Sequence, residues 1–465
     1  MNNYQYNRRN FLKAAGLVGA GLSTAQSSLF NLRNIGAVAG QKAASAGEYK
    51  ALVCLYLGGG SDSFNMLVPR GVSEYAEYAV TRSNLALAQD QLLPISPINV
   101  GGIEYGLHPM MTNIQQFFNQ GKACMISNIG SLVQPVTKSD FYNETAPLPL
   151  GLFSHSDQMN QWQTASPSVR LIKGWAGRIS DLLYDVNTNA NISMNVSFAG
   201  TNVFQSSNGK IEFSVNNNGA IGLSGYGDTY NYRPQRSTAI DELLANPYND
   251  PFKDAYKDIF RTSIDSNLKF NQAIDKVPDF NSFFTDDYLS NNFKMAAKIM
   301  AAREELGFTK QIFYIDIGGW DTHDSLLEDQ DYLIMLIDRA LGEFHAAIDE
   351  LGLTDNVVTF TMSEFGRTLT SNGNGTDHAW GGNVMAIGGP VKGNSIYGTY
   401  PSLVLDNDLD IGGGVLIPTL SNDLYFSELA LWLGVPASEL NTIFPNLSNF
   451  YTPGSSQAPI GFLNI

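Results

Sequence analysis

The chain has 465 residues, 43% of them hydrophobic, enough for one large domain or two ordinary ones. A formal charge of -16 at pH 7 argues against nucleic acid and against an anionic membrane surface, since both would repel it. Anionic substrates are not excluded, because a bound metal ion inverts the local field.

Residues 1–46 read as an export segment. Arg8 and Arg9 open RRNFLKAAG, a mild Gly/Ala/Leu stretch follows from Ala14 to Ala25, and no acid occurs before Glu48. Ala44-Ser45-Ala46 offers a cleavage site, preferred over Ala37-Val38-Ala39. The paired arginines followed by Asn10-Phe11-Leu12-Lys13 resemble the twin-arginine pattern. Cleavage would remove Arg8, Arg9, Lys13, Arg33 and Lys42 and no acid, taking the charge from -16 to -21. The expectation is a periplasmic or secreted protein that uses the twin-arginine export machinery. No later run approaches the roughly 18 apolar residues of a membrane span, so no stable membrane insertion is expected after cleavage.

Tyr49–Leu57 is short, apolar and β-rich, the pattern of a buried strand. It runs into GGGSD, which places Asp62 just beyond its end. Helical patterning follows at Pro109–Gln120, then a second strand at Lys122–Ile129. Cys54 and Cys124 lie inside these two strands as buried free thiols, or as a disulfide if the strands are neighbours. Ser154 reads as a helix N-cap with Asp157 in the first turn. Ser168–Tyr184 is helical and Ile192–Phe198 extended. Residues 200–250 are rich in Asn, Gly and Ser and read as a polar insertion. Helical pattern resumes over Pro251–Leu306.

Gln311 begins a strand that breaks at Gly318-Gly319 and leads to Asp321 and His323. Ser325–Leu351 is an amphipathic helix with Leu333, Leu336, Ile337, Leu341 and Phe344 on one stripe. Asn356–Thr361 is a strand that runs into MSEFG and so to Glu364, Val384–Ile387 is another strand, and Ser427–Leu433 begins a C-terminal helix. Strands alternating with helices of this length predict a three-layer α/β/α sandwich with a mostly parallel sheet, as a single domain over residues 47–465.

Residues two apart in an extended segment point the same way, so Asp321 and His323 project together. A carboxylate beside an imidazole suits a divalent metal. Asp62 and Glu364 lie past two other strands, and Asp377-His378 follows shortly after. Open α/β sheets build sites outside the carboxyl ends of their strands. Asp62, Asp321, His323, Glu364, Asp377 and His378 are therefore the candidate ligands of one or two ions of zinc, manganese or calcium. His155 is a candidate to join them. Each has a plainer reading. Asp62 can fix its glycine turn, Asp377 can orient an imidazole, Ser154 can simply cap, and Arg367 can pair with a surface acid. His108 and His345 read as structural.

Taken together, GGGSDSFNMLVP, Leu107-His108-Pro109, Ser154-His155, GWDTHD, SEFGRT and DHAWGG resemble the domain-of-unknown-function 1501 family. The resemblance covers nearly the whole chain after residue 46. It implies twin-arginine export and an alkaline phosphatase-like fold within the alkaline phosphatase and sulfatase superfamily. That superfamily implies an acidic ligand at Asp62, a nucleophile at Ser154 with His155 beside it, ligands at Asp321, His323 and His378, and a Ser-Asp-His-Gly motif. This chain has Ser363-Glu364-Phe365-Gly366 at the motif. Glu364 is longer than Asp, and Phe365 cannot bind a metal, which implies one ion or a differently built pair. The implied activity is hydrolysis of phosphate or sulfate esters of a small molecule or polysaccharide. The alternative is a catalytically degenerate member that binds envelope polysaccharide or a partner protein.

Overall fold

In this computed structural model the described residues are 48–189, 191–209 and 211–465, so the export reading of residues 1–46 lies outside them. The strands are β1 (Lys50–Leu57), β2 (Leu67–Pro69), β3 (Leu93–Ile95), β4 (Tyr105–Leu107), β5 (Ala123–Gly130), β6 (Asn195–Ser197) and β7 (Phe213–Asn216). They continue with β8 (Gly219–Ala220), β9 (Lys310–Ile317), β10 (Val357–Met362), β11 (Gly382–Ile387), β12 (Ser395–Tyr397) and β13 (Leu420–Ser421). The main sheet is ordered β12-β5-β11-β10-β1-β9-β6-β7-β8, with β13 also on β5, and β2-β4-β3 form a small second sheet.

At its centre β1 pairs parallel with β10 on one side and β9 on the other, and β9 continues parallel to β6. Strand β11 runs antiparallel to both β10 and β5. The sheet is thus mixed and mostly parallel. The central strands are apolar on both sides, as strands covered on both faces must be.

Alternate residues of β1 feed two cores. Val53, Leu55, Phe313 and Ile315 pack under the helices Thr112–Asn119, Tyr288–Ala301 and Leu326–Glu350. Cys54, Tyr56, Ile312, Tyr314 and Phe360 pack under His155–Thr164, Trp175–Leu182 and Asn422–Leu433. This is the three-layer α/β/α sandwich. On Leu326–Glu350, Leu333, Ile337, Leu341 and Phe344 are buried and Leu336 partly so. A fully buried side chain of this kind contributes about 1.5–3 kcal/mol.

One expectation changes and one open alternative closes. Part of the polar 200–250 stretch extends the sheet, because Val215 is buried and Phe213 packs on Phe270, which gives β7 an apolar anchor. Cys54 and Cys124 are buried free thiols. β10 and β11 separate their strands, and three strand spacings of about 4.8 Å put them beyond disulfide reach. His108 is buried and His345 partly so, and desolvation pushes both pKa values down to about 4. His108 accepts a hydrogen bond from Met110 N–H at Nδ1, and His345 Nε2 lies 3.2 Å from the Thr359 hydroxyl.

Candidate metal centre

The carboxyl ends of β1, β9 and β10 lie side by side, and the loops leaving them form one rim. Gly59, at φ 127°, follows β1. A Cβ there would lie 2.4 Å from the Asp321 amide nitrogen, so the close approach of these two loops needs glycine. Trp320 is buried in the core, and its backbone N–H donates to the Gly58 carbonyl. That anchors the turn from which Asp321 and His323 project.

Three imidazoles meet at this rim. His155 opens the helix His155–Thr164, and its Nδ1 lies 2.8 Å from Glu364 Oε1. His378 Nδ1 is 2.8 Å from the Phe153 carbonyl oxygen, and His323 Nδ1 is 3.2 Å from Asp377 Oδ1. Each outer partner is an acceptor, which favours the proton on each Nδ1, and each Nε2 is turned inward. Those three Nε2 atoms converge on one oxygen. Asp321 Oδ1 is 3.1 Å from His323, 3.3 Å from His378 and 3.5 Å from His155.

The Nε2 atoms of His323 and His378 lie 3.0 Å apart. With both Nδ1 atoms protonated, two lone pairs face each other unless a proton or a cation sits between them. The spacings match the edge of a tetrahedron around a metal with bonds of about 2.0–2.1 Å, roughly 3.3 Å. His155, Asp321 and His378 offer ligand atoms that all lie within 4.8 Å of one another, and His323 stands beside Asp321 and His378.

The other residues named from the sequence take different positions. Glu364 is buried behind His155. Its Oε1 also accepts the Gly59 N–H at 2.8 Å, and its Oε2 accepts the Tyr56 hydroxyl at 3.0 Å. It orients His155 rather than facing the centre, the position outer carboxylates take at metal sites. Asp377 does the same for His323 and also accepts from Asn372 at 3.1 Å. Asp62 does not join the cluster. Its carboxylate is buried and ion-paired with the equally buried Arg82, and burial pushes its pKa up although Arg82 opposes this. Ser154 caps its helix through Asp157 N–H, and its hydroxyl lies 3.2 Å from Ser156 Oγ rather than on an imidazole.

Three further residues complete the arrangement. Arg367 is fully buried, donates to the Gly60 and Thr376 carbonyls, and forms an ion pair with Asp321 Oδ1. Burial disfavours the Asp321 charge, but Arg367 together with His323 and His155 outweighs it and holds the carboxyl below its usual range. Phe365 is buried with its ring 4.8 Å from that of His155 and 4.7 Å from that of His378, so it is the wall that fixes both imidazoles. Tyr56 is kept a donor because burial, then the Glu364 charge, raises its pKa. Arg367 follows SEFG in the sequence, the one signal that marked it. Arg82 and Tyr56 carried none.

The sheet and its rim define a three-layer α/β protein with an imidazole-rich cluster suited to a cation. Residues 255–410 match the family model described as "Protein of unknown function (DUF1501)", a stretch that includes Asp321, His323, Glu364, Arg367, Asp377 and His378. No curated protein matches the chain. Similar solved structures include Ps i-CgsB bound to k-i-k-neocarrahexaose, at 12% identity over 86% of this chain and 72% of that chain, TM-score 0.32. Another is the lipoteichoic acid synthase LtaP from Listeria monocytogenes, at 8% over 81% and 76%, TM-score 0.31. The PsFucS1 sulfatase from Pseudoalteromonas sp. is similar at 9% over 86% and 70%, TM-score 0.32. These likenesses concern the fold alone.

Proposed function

We propose that this protein is an exported metal-dependent hydrolase of phosphate or sulfate esters, with His155, His378 and Asp321 holding one divalent ion and His323 beside a fourth position left open to water or ester. The observation that carries the reading is the convergence of three Nε2 atoms on Asp321 Oδ1. Zinc fits the donor set best, because imidazole nitrogen suits it. Calcium takes oxygen ligands, so the nitrogen-rich set argues against it. A dication held there would polarise an ester oxygen and lower the pKa of a bound water.

The chain's own residues prepare the site for that chemistry. Glu364, Asp377 and the Phe153 carbonyl keep each proton on Nδ1, so every Nε2 is available without a proton to shed. Phe365 fixes the rings, and Arg367 holds Asp321 ionised. Asp321 and His323 remain part-exposed, which leaves the centre open to an ester from solvent. With the Ser154 hydroxyl committed to its cap, water is the nucleophile in this reading.

Zinc-loaded and metal-stripped protein should be compared on aryl sulfate, aryl phosphate and bis-aryl phosphate. Turnover by the loaded form only is the expected result. Stoichiometric zinc without turnover of any ester would contradict the reading and favour a binding role.

A further inference from the structure

The charges around the rim say what kind of ester the centre accepts. Arg367 is the basic side chain that reaches the cluster's acids among the described contacts, and it is fully buried and committed to Asp321 and backbone carbonyls. Its guanidinium is closed to a substrate. Arg170, near the helix that carries His155, is already paired with Asp157. The groups that do face outward are acidic. Asp377 is 62% exposed at its side chain, and Asp324 is exposed one residue beyond His323. Glu364 stands directly behind His155.

A bound dication and Arg367 are matched by the carboxylates of Asp321, Glu364 and Asp377, so the loaded centre is close to neutral seen from a few ångströms away. The whole chain carries -16, which adds a repelling field at longer range. One negative charge on a substrate can meet the ion directly. A second would face carboxylates, and among the described residues no guanidinium or ammonium contact with the cluster is left to receive it.

Resting on the hydrolase reading above, we infer that the substrate is an ester whose single negative charge is the one presented to the ion. That class comprises a sulfate monoester or a phosphate diester on an otherwise neutral group. Phosphate monoesters, dianionic above their second pKa of about 6, and densely sulfated polymers are disfavoured.

Zinc-loaded protein titrated calorimetrically at pH 8 with methyl sulfate, dimethyl phosphate and methyl phosphate tests this, at low and at high salt. The singly charged ligands should bind more tightly. Methyl phosphate should gain affinity as salt screens the rim. Asp377→Asn should raise methyl phosphate affinity relative to dimethyl phosphate by about fivefold, the factor one unit charge makes at about 4 Å in water. Tighter binding of methyl phosphate by the wild-type protein overturns the inference and leaves the hydrolase reading standing. Binding of none of the three, together with no ester turnover, overturns both.

Discussion

Replacing Asp62 by alanine is expected to destabilise the fold by about 3–5 kcal/mol, the cost of leaving a buried charge without its partner. The charge left behind is Arg82, which is fully buried. It would keep only Asn65 and the carbonyls of Thr368 and Leu369 as partners. Those carbonyls belong to the loop that carries Arg367 and leads to Asp377 and His378, so the Asp62–Arg82 pair braces the rim from below. Denaturant unfolding monitored by circular dichroism reads the loss as a lower midpoint at unchanged slope. The folded fraction should still take up zinc. A variant of wild-type stability that no longer binds zinc would return Asp62 to the role of ligand.

His378→Ala should have the opposite profile. His378 is partly exposed, so its loss costs little packing, but it removes one of the three residues that hold the ion. Zinc affinity, measured by competition with a chromophoric chelator, should fall by more than the roughly 10–100-fold typical of outer partners. Glu364→Gln supplies that comparison. It keeps an oxygen for His155 Nδ1 while giving up the carboxylate charge and the Oε2 acceptor of the Tyr56 hydroxyl, so it should weaken zinc within the roughly 10–100-fold range. Equal losses in the two variants would mean that His378 is no closer to the ion than Glu364.

Much of the sandwich was legible because the central strands are covered on both faces and so are uniformly apolar. Tyr49–Leu57 and Asn356–Thr361 matched β1 and β10 to within a residue at each end. The direction of β11 was not legible, since an apolar run looks the same read from either edge of a sheet. Nor was β7, whose anchor is the distant Phe270.

At the rim, the sequence marked which acids and imidazoles gather but not which way each one faces. Glu364 lies past a strand end, as a ligand would, yet its carboxylate turns back to Gly59, Tyr56 and His155. Asp62 also follows a strand, and its direction was decided by Arg82, twenty residues on in a helix whose pattern gave no hint of a buried guanidinium. Phe365 stands where a metal-binding imidazole was expected. The ring it supplies packs on His155 and His378, so the same position still shapes the centre through contact rather than ligation.

The measurement closest to the central claim is X-ray absorption at the zinc edge on stoichiometrically loaded protein. The account predicts two imidazole nitrogens, one carboxylate oxygen and one water oxygen at about 2.0–2.2 Å, with one nitrogen lost in His378→Ala and the oxygen shell altered in Asp321→Ala. A first shell made of oxygen, or one that neither substitution alters, would contradict it.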